Sequence, residues 1–372
     1  MDINTLREVI KTTPIIDHHA HNLLLEGEQD KHSFLSITTE AAGKALNHTP
    51  STLAHMRAVR QLAEILPCQP NWESVLSNIK NMRVRDSTGW TQKCFKGIET
   101  VLIDDGLDLD IVHPYEWHNQ FTRSACRRIV RIERVAEGIL KTSYEQHHRS
   151  LIRGDLDASK FLVKVIDQFN TAISDSISDP KVVGFKSVIC YRTGLEIPRC
   201  PELYKVTAAM QLILEHETVI EKLSRMEDEV LSPFLVHLAA RLIENSASKK
   251  PLQFHTGLGD NDIRLRFSSP SHLQPFIEMY PSLPIVLLHA SYPFTKEAGY
   301  LASTYENVYL DIGEVFPMVS QEGQENVVRE ALELCPSEKL TWSTDGHWFP
   351  ETYLLAVIQV REAMEHVSIP FM

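Results

Sequence analysis

Short aliphatic and β-branched runs recur along the chain, and most of them stop at a polar or charged residue. The first is "TPIIDHH" (Thr13 to His19), and "ETVLIDDGL" follows at Glu99 to Leu107. "RRIVRIERV" and "KVVGFKSVICYR" read as the third and fourth strands. "KPLQFHTG", "LPIVLLHAS", "NVYLDIG" and "KLTWSTDGH" complete a set of eight. Between them the apolar spacing changes from strand-like to helical. "STLAHMRAVRQLAEIL", "NWESVLSNIKNM" and "FLVKVIDQFNTAISDSI" each place apolar residues on one helical face. The segment 201–248 is helical as well, and "SPSHLQPFIEMYPS" and "GQENVVREALELC" give room for helices between the later strands.

Strands that alternate with helices pair in parallel, because parallel neighbours need a crossover connection. Eight such units predict an α/β fold, a (β/α)8 TIM-like barrel. Helical insertions follow strands one and four, near 34–96 and 201–248, within a single barrel domain over 1–372. The length, 372 residues, suits such a barrel with insertions.

Of the residues, 43% are hydrophobic and 23% charged, an ordinary globular balance. The net charge of −12 argues against nucleic acid or an anionic membrane as partner, since both demand concentrated Lys and Arg. The basic stretch "RSACRRIVRIERV" alternates with apolar residues and reads as a helix end entering a strand. Six cysteines lie scattered without a Cys-x-x-Cys, which excludes a disulfide framework and a zinc-finger pattern. The opening "MDINTLREVIKTTP" has no signal-peptide core, and no run is long and apolar enough for a bilayer, so a cytoplasmic location is expected.

The placement of the polar residues is the informative feature. His19 and His21 end strand one, Lys186 interrupts strand four, and His255 and His289 end strands five and six. Asp311 and Asp345 end strands seven and eight. In a (β/α)8 barrel these C-terminal strand ends meet at one mouth. Side chains alternate along a strand, so His19 and His21 share a face. Imidazoles and carboxylates gathered there suit a divalent ion: zinc first, with manganese, iron or nickel as alternatives. Such an ion lowers the pKa of bound water from about 15.7 to about 7 and polarises a carbonyl. A neighbouring carboxylate can then carry the proton to the leaving group. The competing explanation, core histidines, would need a separate buried partner for each ring.

In this order "IIDHHAH", "QFHTG", "VLLHAS" and "TWSTDGH" resemble the amidohydrolase superfamily, in its amidohydrolase-related branch. More narrowly, "DHHAHNLL", "GFKSVICYRTGL" and "STDGHWFPE" resemble the N-terminal half of FluG-type and nodulin/glutamine-synthetase-like proteins. There an amidohydrolase-like domain precedes a glutamine-synthetase-like one. The resemblance implies His19, His21, His255 and Asp345 as metal ligands, with Asp345 also the proton acceptor. It implies that His289 orients the substrate carbonyl or the water when one ion is bound. When two are bound, His255 and His289 hold the second, and a carboxylated Lys186 bridges both; one ion is favoured.

Around the mouth, Arg192 could clamp a substrate carboxylate beside Tyr191. His347 could bond substrate and Trp348 could wall the pocket. Lys186, as an amine, could bind substrate or serve as an acid/base, since burial depresses its pKa. Asp260 or Arg264 in "HTGLGDNDIRL" could reach substrate, and His113, Trp117 and His118 read as a lid or pocket edge. Asp311 is expected to support a ligand histidine. Ser291 and Ser343 lie in no nucleophile elbow, which argues against a serine hydrolase. The expected function is metal-dependent hydrolysis of an amide-like C–N bond in a small molecule, the resemblance suggesting a γ-glutamyl amide. The alternatives are decarboxylation, lactone hydrolysis or sugar-acid isomerisation on the same ion, and a regulatory or binding module with little turnover. A homodimer and a functional link to a glutamine-synthetase-like domain are expected as partners.

Overall fold

The computed structural model describes residues 2–368. Eight parallel strands follow one another around the sheet in chain order. They are β1 (Ile15–Ala20), β2 (Ile98–Asp104), β3 (Arg127–Arg131), β4 (Val182–Ser187), β5 (Leu252–Phe254), β6 (Ile285–Leu287), β7 (Val308–Asp311) and β8 (Leu340–Thr341). Main-chain bonds beyond the end of β8 complete the circle to β1: His18 N donates to Trp342 O, and Asp345 N donates to His19 O. The result is the expected (β/α)8 barrel.

The helices are α1 (Ile3–Thr12), α2 (Leu53–Ile65), α3 (Trp72–Cys94), α4 (Ile132–Arg153), α5 (Ala158–Ser178), α6 (Leu203–Leu214) and α7 (Val219–Ser224). They continue as α8 (Leu231–Glu244), α9 (Gln274–Met279), α10 (Thr295–Thr304), α11 (Val315–Met318), α12 (Gln321–Leu334) and α13 (Pro350–Ser368). Asp2, Thr52, Asn71, Asp157 and Ser320 cap α1, α2, α3, α5 and α12 by accepting orphan backbone N–H groups. Such caps contribute about 1 kcal/mol each.

Alternation along the strands sorts the side chains. Phe185, Phe254, Leu252, Leu287 and Leu310 are fully buried in the layer between barrel and helices. The residues that alternate with them form an interior row. Arg131 pairs in register with Lys186, Lys186 with Gln253, and Gln253 with Val286. Three polar side chains in succession inside a barrel mark where the apolar filling gives way to a site.

Three sequence expectations change. "RRIVRIERV" is a strand only to Arg131; Ile132 begins α4, where Ile132, Ala136 and Leu140 are buried at helical spacing. "KVVGFKSVICYR" leaves the sheet after Ser187 and makes a 3-10 turn at Ile189–Tyr191. Between β1 and α2 the chain forms 3-10 turns at Gln29–Lys31, Phe34–Thr38 and Gly43–Ser51 instead of α-helix. No α-helix separates β2 from β3, only a 3-10 turn at Tyr115–Gln120.

Within the long insertion after β1, α3 is fastened by a buried acid, while α2 is tied to α12 and α13 through Arg57 and Gln61. Glu351, in the first turn of α13, is fully buried and accepts Trp90 Nε1 at 2.7 Å and an Arg83 N–H at 2.8 Å, both from α3. Glu351→Ala leaves the indole N–H and the guanidinium without their acceptor. We expect a stability loss of about 3 kcal/mol in urea unfolding; a loss below about 1 kcal/mol would show that α3 is held by its apolar contacts alone.

Candidate metal centre

The strand ends converge as the sequence implied. Nε2 of His19 and Nε2 of His21 lie 3.4 and 3.5 Å from Asp345 Oδ1. Asp345 Oδ1 is buried and has no hydrogen-bond partner. A second group forms beside the first from His255, His289 and Glu314. Within each group the ligand atoms lie within 4.8 Å of one another. His255 thus groups with His289 and Glu314.

Hydrogen bonds set the state of the rings. Gln253 Nε2 donates to His18 O at 2.9 Å, which turns its Oε1 toward His19 Nδ1, also at 2.9 Å. His19 must donate from Nδ1, leaving the Nε2 lone pair facing Asp345. His21 donates Nδ1–H to Asp104 O at 2.9 Å, with the same result. His255 is reversed: its Nε2 donates to Leu258 O at 2.6 Å, which leaves Nδ1 to accept. Both ring nitrogens of His289 and Oε2 of Glu314 are buried without a hydrogen bond. Burial holds His19, His255 and His289 well below the usual imidazole pKa, with Lys186 adding to the shift in each. They are neutral near pH 7, as metal ligation requires. Neutral rings, a carboxylate and unpaired buried donors fit a divalent ion with nitrogen and oxygen ligands.

Backbone strain accompanies the site. His289, Glu314 and Asp345 have φ of +66°, +59° and +50°. Residues other than glycine rarely adopt this region, at a cost of order 1–3 kcal/mol each. The loop after β5 depends on Gly259, where a Cβ would come within 2.9 Å of His255 Nε2.

The groups open into a cavity of about 310 Å³. Lys186, Tyr191, Arg192 and His347 all line it. Lys186 is fully buried, with Nζ 3.4 Å from His19 Nε2. Burial lowers its pKa to about 8, against the pull of Asp104 and Asp345. The Tyr191 ring stands 4.3 Å from that of His255. Arg192 keeps one terminal nitrogen 3.6 Å from Glu137, while its Nε is buried and unpaired. His347 donates Nδ1–H to Asp345 O at 2.8 Å. Trp348 and Asp260 also reach the cavity.

Other candidates fall elsewhere. Arg264 leads into a 3-10 turn and is not among the lining residues. His113 and Trp117 stack on each other at 3.7 Å, and His118 accepts Leu23 N at 3.1 Å; none of the three lines the cavity. Asp311 accepts Gly313 N at 2.9 Å and Ser343 Oγ at 2.8 Å, which fastens the ends of β7 and β8, and it also faces the backbone N–H of His289, so its support for that residue runs through the main chain. Ser291 is likewise engaged, with Thr256 at 2.7 Å.

Sequence reasoning missed Glu314, Arg131 and Glu40. Glu314 lies three residues beyond Asp311, past the predicted strand, and no periodicity points to it. Arg131 lay in a basic stretch that reads as a helix end entering a strand. It grips Asp104 through two nitrogens, and although burial pushes that carboxyl up, the guanidinium holds it at about 2. Glu40 lines the cavity with its pKa raised to about 8, first by burial and then by Asp345 and Asp260.

The amidohydrolase family model matches residues 222–366. The protein fluG of Emericella nidulans is 44% identical over 377 residues, which covers 99% of this chain and 44% of that protein. The chain thus spans less than half the length of this relative. Among solved structures, a Lactobacillus casei protein described as a metal-dependent hydrolase superposes with a TM-score of 0.74 at 25% identity, covering 97% of this chain and 89% of the other. Uronate isomerase of Thermotoga maritima gives 0.63 at 13% identity, covering 99% and 91%, a likeness of fold alone.

The tautomer argument yields a measurable consequence. Gln253→Leu removes the acceptor that fixes His19, and metal affinity should fall about 10–100-fold. Competition with a chromogenic chelator measures it, and an unchanged affinity would show that the ring is oriented without Gln253.

Proposed function

The chain belongs to the amidohydrolase superfamily, and from that premise we propose that it is a metal-dependent hydrolase of amide-like C–N bonds in small molecules. The observation that carries the proposal is the meeting of the His19 and His21 lone pairs with an unpaired Asp345 oxygen at the cavity floor. A divalent ion held by these donors, zinc by their chemistry, polarises a carbonyl and acidifies water. Manganese, iron and nickel accept the same donors.

The residues divide the work. Asp345 turns Oδ1 to the imidazoles and keeps Oδ2 to take the proton of the attacking water. It then returns that proton to the departing nitrogen. His289, whose ring nitrogens are unpaired, orients the substrate carbonyl. Lys186 sits beside His19 as a buried cation-forming group whose lowered pKa lets it hold or release a proton near neutral pH. Tyr191 and His347 flank the acyl group. Arg192 receives a substrate carboxylate, since its buried Nε lacks a partner. A γ-glutamyl amide carries such a carboxylate, and the FluG-type relationship favours that class. A partner domain resembling glutamine synthetase would then act on the same glutamyl chemistry.

The likeness to uronate isomerases extends to the fold only and lends no weight to sugar-acid isomerisation. Among the described residues no helix is long and apolar enough to cross a membrane. A cytoplasmic homodimer is our working picture.

Asp345→Asn keeps the volume and removes the proton acceptor. Turnover of amide substrates should fall about 10²–10⁴-fold while part of the bound metal is retained. Assays of released amine or ammonia against elemental analysis of the same sample decide it: full turnover by the variant removes Asp345 from the chemistry.

A further inference from the structure

Most of the charged groups that line the cavity are already engaged. Arg131 grips Asp104 at 2.7 Å, and Arg225 holds Asp262 at 2.8 Å. Arg134 Nε donates to Gly106 O at 3.0 Å, and Asp108 accepts Trp348 Nε1 at 2.9 Å. Two groups of opposite sign stand apart from this pairing. The Arg192 side chain is only 9% exposed, and its Nε is buried without a partner. Glu40 lines the same cavity from the loop after β1, partly buried between the 3-10 turns Phe34–Thr38 and Gly43–Ser51. Burial, with Asp345 and Asp260 adding to it, raises the Glu40 carboxyl to about 8, and no cation opposes the shift. Without a cation beside it the acid keeps its proton, so its place in the cavity costs the fold little. Asp260, on the loop after β5, stands within electrostatic reach of both Arg192 and Glu40. Glu40 and Asp260 also line an adjoining cavity of about 540 Å³.

We infer that Glu40 receives a substrate ammonium, and that with Arg192 it reads the head group of an α-amino acid. The inference rests on the reading of this cavity as an amide hydrolase site. It names what the acyl half of the substrate must carry: a free α-ammonium beside the α-carboxylate that Arg192 takes. A divalent ion is a poorer occupant of this spot. Among the described residues, neither Glu40 nor Asp260 belongs to a group of three side chains placed to ligate one. An ammonium needs no such set, because it brings three donors of its own. One goes to Glu40, and where the two cavities join, water can meet the others. Asp260 adds negative potential that favours a cation there. The approach of that cation favours the ionised form of Glu40, so the pair strengthens as it forms. An acyl chain of the same length without the amine leaves Glu40 unpaired and forgoes a charge-assisted bond.

Titration calorimetry on the full chain, loaded with Zn²⁺, tests this with L-glutamate and glutarate, two probes that differ only in the α-ammonium. Wild type should bind L-glutamate about 10–100-fold more tightly than glutarate. Glu40→Gln should bring the two to similar affinity by weakening L-glutamate alone. Glutarate bound as well as before then also shows that the cavity of the variant is intact. In turnover, the preference for γ-glutamyl anilide over glutaryl anilide should shrink by the same factor in Glu40→Gln, chiefly through KM. Equal affinity of wild type for the two probes, or binding of neither, overturns the inference. Discrimination that survives in Glu40→Gln overturns it as well. So does a loss of glutarate binding in that variant, which would give Glu40 a part in the shape of the cavity instead. A chain that tells the probes apart through Glu40 yet cleaves no amide upholds the ammonium site and removes the hydrolase reading.

Discussion

The seam where β8 meets β1 is the contact on which the site depends. Three main-chain bonds cross it: His18 N to Trp342 O at 3.2 Å, Asp345 N to His19 O at 3.0 Å, and His21 N to Gly346 O at 2.7 Å. Asp17 adds a side-chain clasp, accepting Thr344 N at 2.9 Å and Thr344 Oγ1 at 2.5 Å. Burial raises the Asp17 carboxyl to about 8 even though these bonds oppose it. Segments 327 residues apart are thereby locked in a register that sets the Asp345 carboxylate against both strand-one imidazoles. The metal cluster is a by-product of closing the barrel correctly, and a shift of this seam by one residue would turn the histidines to the other face.

The barrel interior meets a second demand, the housing of charge. Arg131 and Asp104 neutralise each other at 2.7 Å, and the Asp104 carbonyl takes the His21 Nδ1–H. Gln253, the next polar member of the row beyond Lys186, orients His19. The rings of His19 and His21 are thus each held by a strand other than their own. An apolar filling of the same positions would pack better, and its absence here is the kind of local conflict that marks a working site.

Much of this could be read in the sequence, for definite reasons. Strand alternation brings His19 and His21 to one face, and a barrel brings His255, His289 and Asp345 to the same mouth whatever lies between them. The hidden parts obey no period. Glu314 lies on a strained turn after β7, and backbone strain leaves no trace in an apolar pattern. Arg131 stands at a strand-to-helix boundary where the run "RRIVRIERV" satisfies both periods at once. Asp311 looked like a support for a ligand because it ends a strand. Its oxygens take Gly313 N and Ser343 Oγ, which fastens the short β8, and face the His289 backbone N–H, so the support goes to the main chain and not to a ring.

The two clusters differ in how they are held, and that difference bears on chemistry. His19 and His21 present Nε2, and their outer nitrogens are anchored to the barrel by Gln253 and Asp104. His255 presents Nδ1, its other nitrogen tied to Leu258 in its own loop. That loop can come so close only because Gly257, at φ +73°, lies against the backbone of Ser291 and Tyr292, where no side chain would fit. The first cluster is therefore anchored by neighbouring strands of the sheet, while the second is set by the buried loops after β5, β6 and β7. One donor set fixed by the sheet beside another fixed by loop geometry lets the barrel place one group of side chains and the loops place the other, each held by its own supporting contacts.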